Sequence, residues 1–167
     1  PLTVECWVRL DSSQSYNIIV ANETKASATH WELFTTPNDG LFTVYVPGRA
    51  PDHVRSMTSI VDGKWHFLAM VMQQDRMALY VDGEMKADVA SVPPQQPGQP
   101  GTLVVGALVT GELTCLGFVD ELRLSSCARE PLAVPSEPMA ADDRTIGLWT
   151  FDALDAGKYR DLSANGN

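Results

Sequence analysis

The chain has 167 residues and a mass of 18.2 kDa, enough for one domain that buries a core without staples. Its 44% hydrophobic and 20% charged composition excludes a disordered chain, and no apolar run approaches the roughly 18–20 residues of a spanning helix. Acidic side chains outnumber basic ones 21 to 12, for a net charge of −9 and a pI near 4.6, which argues against a polyanionic nucleic-acid partner. Pro1 and Leu2 already stand inside a strand-like pattern with no initiator Met, so a fragment or mature piece of a longer protein is expected.

Residues 2–10 alternate, with Leu2, Val4, Cys6, Val8 and Leu10 on one side and Thr3, Glu5, Trp7 and Arg9 on the other, the period of a half-buried strand. A short apolar run around Ile18 and Ile19 follows. His30–Thr35 and Leu41–Val46 are aromatic and β-branched, and Pro37-Asn38-Asp39-Gly40 between them predicts a hairpin turn. Trp65–Gln73, Met77–Asp82 and Met85–Val89 read as a meander turning through Gln74-Asp75-Arg76 and Asp82-Gly83. Thr102–Ala107, Gly117–Ser125 and Thr145–Asp152 supply three further strands. With no stretch of helical period, this pattern predicts an all-β sandwich or barrel.

Two stretches are irregular. Residues 92–101 hold four prolines, which cannot donate to a ladder, so an exposed extended loop is expected there. Residues 129–144 carry Pro131, Pro135 and Pro138 and read as a crossover over one sheet. Three cysteines, Cys6, Cys115 and Cys127, permit one disulfide; Cys6 reads as a core residue, and a Cys115–Cys127 bridge stays open. Asn22-Glu23-Thr24 is a glycosylation sequon that would mark a surface loop if used.

Four segments, LTVECWVRL (2–10), DGKWHFLAMVMQQDRMALYVDGE (62–84), TLVVGAL with GFVDELRLSSCARE (102–130) and GLWTFDALDAGKYRDLSANGN (147–167), together resemble the laminin-G-like, or concanavalin A-like lectin/glucanase, superfamily. The resemblance implies a jelly-roll sandwich of two antiparallel sheets, found commonly in extracellular sugar-binding or adhesion modules, many of them with calcium. In such domains the Asp-x-Ser-x-Asn-Gly-Asn pattern usually lies near the beginning, whereas Asp161–Asn167 ends this chain. One domain over 1–167 is therefore expected, with 145–167 supplying its terminal strands or, alternatively, opening a following repeat.

Retaining glycoside hydrolysis needs two carboxyls about 5–5.5 Å apart on one sheet face. Asp120 and Glu121, as neighbours, should lie on opposite faces. Asp82 and Glu84 flank a turn glycine, and Glu5 and Glu32 either share one sheet surface or stand on a charged, solvated outer face. No GxSxG or HExxH motif is present, so a non-catalytic module is expected.

Sugar binding needs flat apolar surface and hydrogen-bonding neighbours. The candidate platforms are Trp31, Trp7, Tyr45 and Tyr80, with Arg9, Glu32, Asn17 and His30 beside them; Trp65 and Trp149 read as core or sheet-covering residues. Trp31 is favoured because its strand is polar on one side and near loops. Asp120 lies in the segment that resembles a family calcium site, with Asp161, Asn165 and Asn167 as further oxygen donors to a structural Ca2+. The expectation is a carbohydrate-binding or cell-surface recognition module of a larger secreted protein, extracellular, periplasmic or at the cell surface, with a glycan or polysaccharide partner. The alternative is a protein–protein interaction or spacer domain without sugar binding.

Overall fold

The structure, a computed structural model, describes residues 1–92 and 101–167. The expected proline loop falls almost wholly outside the described residues. Thirteen strands are present among them: β1 (Leu2–Leu10), β2 (Asn17–Asn22), β3 (Trp31–Thr35), β4 (Leu41–Tyr45), β5 (His53–Ser59), β6 (Trp65–Met72), β7 (Arg76–Val81), β8 (Glu84–Ala90), β9 (Leu103–Val105), β10 (Gly117–Ser125), β11 (Thr145–Trp149), β12 (Leu154–Asp155) and β13 (Lys158–Tyr159). They form a jelly-roll sandwich. Sheet A has the order β11-β10-β1-β6-β7-β8, sheet B the order β5-β4-β3-β2-β9, and β12-β13 is a small separate ribbon. Every ladder is antiparallel. Among the described residues no helix is long and apolar enough to cross a membrane.

The period-2 alternation builds the core. Val4, Cys6, Val8 and Leu10 of β1 face inward, with Leu68 and Met70 of β6 and Leu79 of β7, against Leu33, Phe42 and Val44 of sheet B. Several are wholly buried, each worth about 1.5–3 kcal/mol in apolar surface removed from water. The turn expected at residues 37–40 is present. Asn38 and Gly40 take φ of 70° and 64°, and a Cβ on Gly40 would meet Ser59 Oγ at 2.8 Å, so no larger residue fits without a shift.

β5 carries no strong sequence signal. Its alternation is broken, with Ser56 buried and Met57 exposed, Met57 has a φ of 57°, and its pairing with β4 slips between Leu41 and Thr43. It nevertheless closes one long side of the sandwich by lying against β7 and β8. The other long side is open among the described residues. Sheet B stops at the three-residue β9, while β10 and β11 extend sheet A past it. A mainly apolar cleft of about 670 Å3 remains there, lined by Leu103, Val105, Val119, Trp149, Phe151 and Tyr159.

Residues 126–144 do cross sheet A. Leu132 and Met139 pack on Phe67, Ala69, Val71, Ala78 and Tyr80 of its outer face. Under this strap Glu5, 1% exposed, receives both Nε–H and an Nη2–H from Arg123 at 2.8 Å. Glu5 and Glu32 therefore occupy different sheets rather than one surface. All three cysteines are free: Cys6 is in the core, and Cys115 lines the open cleft, its thiol pushed up to about 11 by burial. The Cys115–Cys127 bridge left open by the sequence is not formed.

Candidate functional site

The outer face of sheet B follows from strand parity. Trp31 and Leu33 of β3 point into the core, so Glu32 and Phe34 point out. Cross-strand pairing then sets Glu32 opposite Tyr45, and Tyr45 opposite His53. Tyr45 and His53 are stacked, with ring centroids 4.4 Å apart and planes 26° apart. Phe34 meets His53 edge-on at 6.3 Å, and Tyr16 extends the row beyond Phe34 at 5.9 Å. His53 and Tyr16 are exposed and Tyr45 is half-buried, so the row offers open ring surface.

Its polar border is held from below. The Glu32 carboxylate, 2% exposed, lies 3.1 Å from Lys25 Nζ and 3.4 Å from His30 Nε2. Burial pushes this carboxyl up, but His30 and Lys25 outweigh it and hold it below the usual range. Lys25 is half exposed and stands 5.8 Å from the Tyr45 ring centre, so Glu32 fixes a cation at the rim of the aromatic pair. His30, buried, sets its Nδ1 3.0 Å from the Glu23 carbonyl and its ring 5.7 Å from Tyr45. Glu32 Oε2 and His30 Nε2 face each other without a formed hydrogen bond.

The sequence-derived candidates separate accordingly. Tyr45 stands on this surface. Glu32 lies beneath it, a positioning residue rather than a direct ligand. Trp31 does not reach it: 6% exposed and packed in the core, it shows no open ring face, because it shares Leu33's parity and not Glu32's. Asn17 is also internal, its amide donating to the Ser12 carbonyl and Thr35 Oγ1. Tyr80 is buried under the strap with its hydroxyl on Glu130. His53 was missed as a site residue, since only the β4–β5 register brings it to Tyr45.

Trp7 and Arg9 belong to the other outer face, that of sheet A. Trp7 is half-buried against Phe67 at 5.5 Å, beside the strap. Arg9 lies at the bare end of this face between Trp65 and Phe118, which are 42% and 53% exposed. Trp65 is thus a surface residue rather than a core one.

The expectation that Asp120 and Glu121 lie on opposite faces is overturned by a bulge. Glu5 pairs with Arg123 and Trp7 with Asp120, so β10 carries one residue more than β1 between these pairs, and Glu121 takes a φ of 47°. The Glu121 carboxylate turns toward the strap and accepts the Met139 N–H at 3.1 Å, while Asp120 Oδ1 accepts the Glu121 N–H at 2.9 Å. Burial, aided by the charge of Asp152, raises both carboxyls.

The oxygens proposed for calcium do not fit a cage in this arrangement. Among the described residues no three His, Cys, Asp or Glu side chains converge on a point. Asp161 accepts N–H groups of Leu148, Ser163 and Asn167 at 2.8–2.9 Å, and the Asn165 and Asn167 amides donate to the Ile146 carbonyl. These groups fasten the C-terminal segment to β11.

Two antiparallel sheets in jelly-roll order, one of them bearing an aromatic row with a charged rim, define a concanavalin A-like sandwich. A family model, that of the concanavalin A-like lectin/glucanases superfamily, matches residues 1–135, and the chain belongs to this superfamily. No curated protein sequence matches it. Among solved structures it is similar to a Bacteroides ovatus protein whose carbohydrate-binding assignment is provisional, at 20% identity and TM-score 0.67, over 96% of this chain and 48% of that one. It is also similar to domain 4 of the extracellular arabinanase AbnA of Geobacillus stearothermophilus, in complex with arabinotriose, at 17% identity and TM-score 0.60, over 78% and 62% of the two chains. The CBM40 of the Ruminococcus gnavus IT-sialidase is a third, at 12% identity and TM-score 0.58, over 78% of each chain. The chain spans about half the length of the Bacteroides ovatus protein.

Proposed function

We propose that this chain is a non-catalytic glycan-binding module of a larger secreted protein, acting outside the cell, and that it binds through the outer face of sheet B. The observation that carries the reading is the exposed Tyr45–His53 stack with Lys25 anchored beside it by buried Glu32. A pyranose lies with its C–H face on the free outer face of the Tyr45–His53 stack while Lys25 meets its hydroxyls. Support comes from the sugar-binding domains that share the fold, and from the buried charge under the site. A desolvated carboxylate is costly unless it does something, and here it orients a cation at the rim.

The test is a polysaccharide panel with Tyr45→Ala and Trp31→Ala compared. Tyr45→Ala is expected to lower affinity for the bound glycan about tenfold or more with little change in melting temperature, since stacking on a ring is worth roughly 1–3 kcal/mol. Trp31→Ala is expected to cost about 3–5 kcal/mol in stability, the range for a core Trp. Unchanged binding in Tyr45→Ala would remove this face from the reading, and a panel with no binder would favour the spacer alternative.

A further inference from the structure

At the bare end of sheet A's outer face, Arg9 has no ion-pair partner among the described residues. β1 runs between β6 and β10, and its register sets Arg9 opposite Trp65 on one side and Phe118 on the other. The guanidinium carbon lies 4.4 Å from the Phe118 ring centre and 5.8 Å from that of Trp65. A guanidinium flanked by two rings is dehydrated on its flat faces, and its remaining N–H groups point out along its edge.

Three observations mark this arginine as waiting for an external partner. First, among the described residues no carboxylate comes within 4.0 Å of it, although acidic residues exceed basic ones by nine. The two other arginines of sheet A are both paired, Arg76 with Asp88 and Glu130, and Arg123 with Glu5. Second, Arg9 Nε is buried with no hydrogen-bond acceptor among the described residues, which is rare for a charged donor because the unpaired group bears its full desolvation cost. Third, the strap that covers the rest of this face packs on Phe67, Ala69 and Val71 and leaves Trp65 and Phe118 exposed.

We propose that Arg9, Trp65 and Phe118 form a second binding site, specific for a carboxylate-bearing sugar such as a uronic acid residue of an acidic glycan. The planar fork of the guanidinium matches the two oxygens of a carboxylate, and charge-assisted pairs of this kind are about twice as strong as neutral hydrogen bonds. The flanking rings supply stacking surface for the C–H face of the sugar that carries the acid. Asp120, opposite Trp7 and two residues beyond Phe118 on β10, gives the site an acceptor end. The sugar is thereby oriented with its acid toward Arg9 and its hydroxyls toward Asp120. This site lies on the opposite side of the sandwich from Tyr45 and stands without the sheet B reading.

The experiment is calorimetric titration of the full chain with oligogalacturonate, hyaluronan and alginate oligosaccharides, each against its methyl ester, which keeps the rings and removes the charge. At least one acid is expected to bind about tenfold or more tighter than its ester. Arg9→Gln should erase that difference, and Tyr45→Ala should leave it intact. Trp65→Ala, at an exposed position and so safe for folding, should weaken acid and ester alike. Equal binding of acid and ester, a difference that survives Arg9→Gln, or no binding by any of the three acids overturns the proposal. So does displacement of the acid by inorganic sulfate at the same concentration as by free galacturonate, which would reduce the site to a simple anion contact.

Discussion

His66 shows how one side chain can fasten two turns. Its Nδ1 lies 2.7 Å from Asp82 Oδ2 and its Nε2 3.0 Å from Asp62 Oδ1, so both ring nitrogens face carboxylates. Burial alone pushes the imidazole down, but the two carboxylates outweigh it and raise it above its ordinary value near 6.5. Asp62 is held at about 2, first by the Lys64 N–H and then by His66. A group raised on folding contributes fully below its unfolded value and loses that contribution as pH climbs through the folded one. Urea unfolding from pH 6 to 9 is therefore expected to show a stability decline above about pH 6.5 that Asp82→Asn makes smaller, Asp62 retaining the rest. A decline of the same size in the variant would show that His66 is not its source. Segment 62–84, which holds His66, was visible in the sequence as family-like, but not the double carboxylate clasp, which needs the 60–65 loop and the Asp82-Gly83 turn to meet in space. Trp31 failed for a related reason: alternation says that Trp31 and Glu32 face opposite ways, yet only the sheet partner tells which way is inward.

At the scale of elements, Asp161 is the acid at the centre of the contacts that hold the C-terminal segment. Asp161 is 6% exposed; burial pushes its carboxyl up, while the N–H groups of Leu148, Ser163 and Asn167 together bring it below the ordinary carboxylate range. Because Leu148 belongs to β11, the same side chain ties strand and tail together. Asp161→Ala is expected to cost about 1–3 kcal/mol by leaving these donors unpaired, seen as a lower urea midpoint with little change in slope. An unchanged midpoint would mean that the tail contributes nothing to this fold. The strands with clean alternation, β1, β3, β4 and the meander β6–β8, were legible because their pattern and their turn residues agreed. β5 was not, since it buries Ser56 and exposes Met57 against the expected alternation, and its ladder is broken by a bulge. The β10 bulge at Glu121 was equally invisible, and it alone decides that Asp120 and Glu121 share a side. The aromatic row of sheet B was half legible: Tyr45 and Glu32 came from composition and strand parity, but His53 depends on how far the 46–52 loop carries the chain.

For the whole molecule, the two long sides of the sandwich differ. β5 lies against β7 and β8 on one, and on the other, among the described residues, only short β9 fronts the apolar cleft below β10 and β11. A sandwich stitched along one side and loose along the other should breathe in one direction only, like a book opening from its fore-edge. Hydrogen–deuterium exchange reads such motion residue by residue. Amides of Leu103–Val105 and of β11 are expected to exchange through local openings that low denaturant barely affects, while those of β1, β6 and β7 wait for global unfolding. Equal protection on both sides would refute that asymmetry. If the asymmetry holds, water reaches Cys115 from the fore-edge well before it reaches Cys6. Thiol labelling should then proceed in that order under native conditions, a kinetic fingerprint of the side on which this fold comes apart.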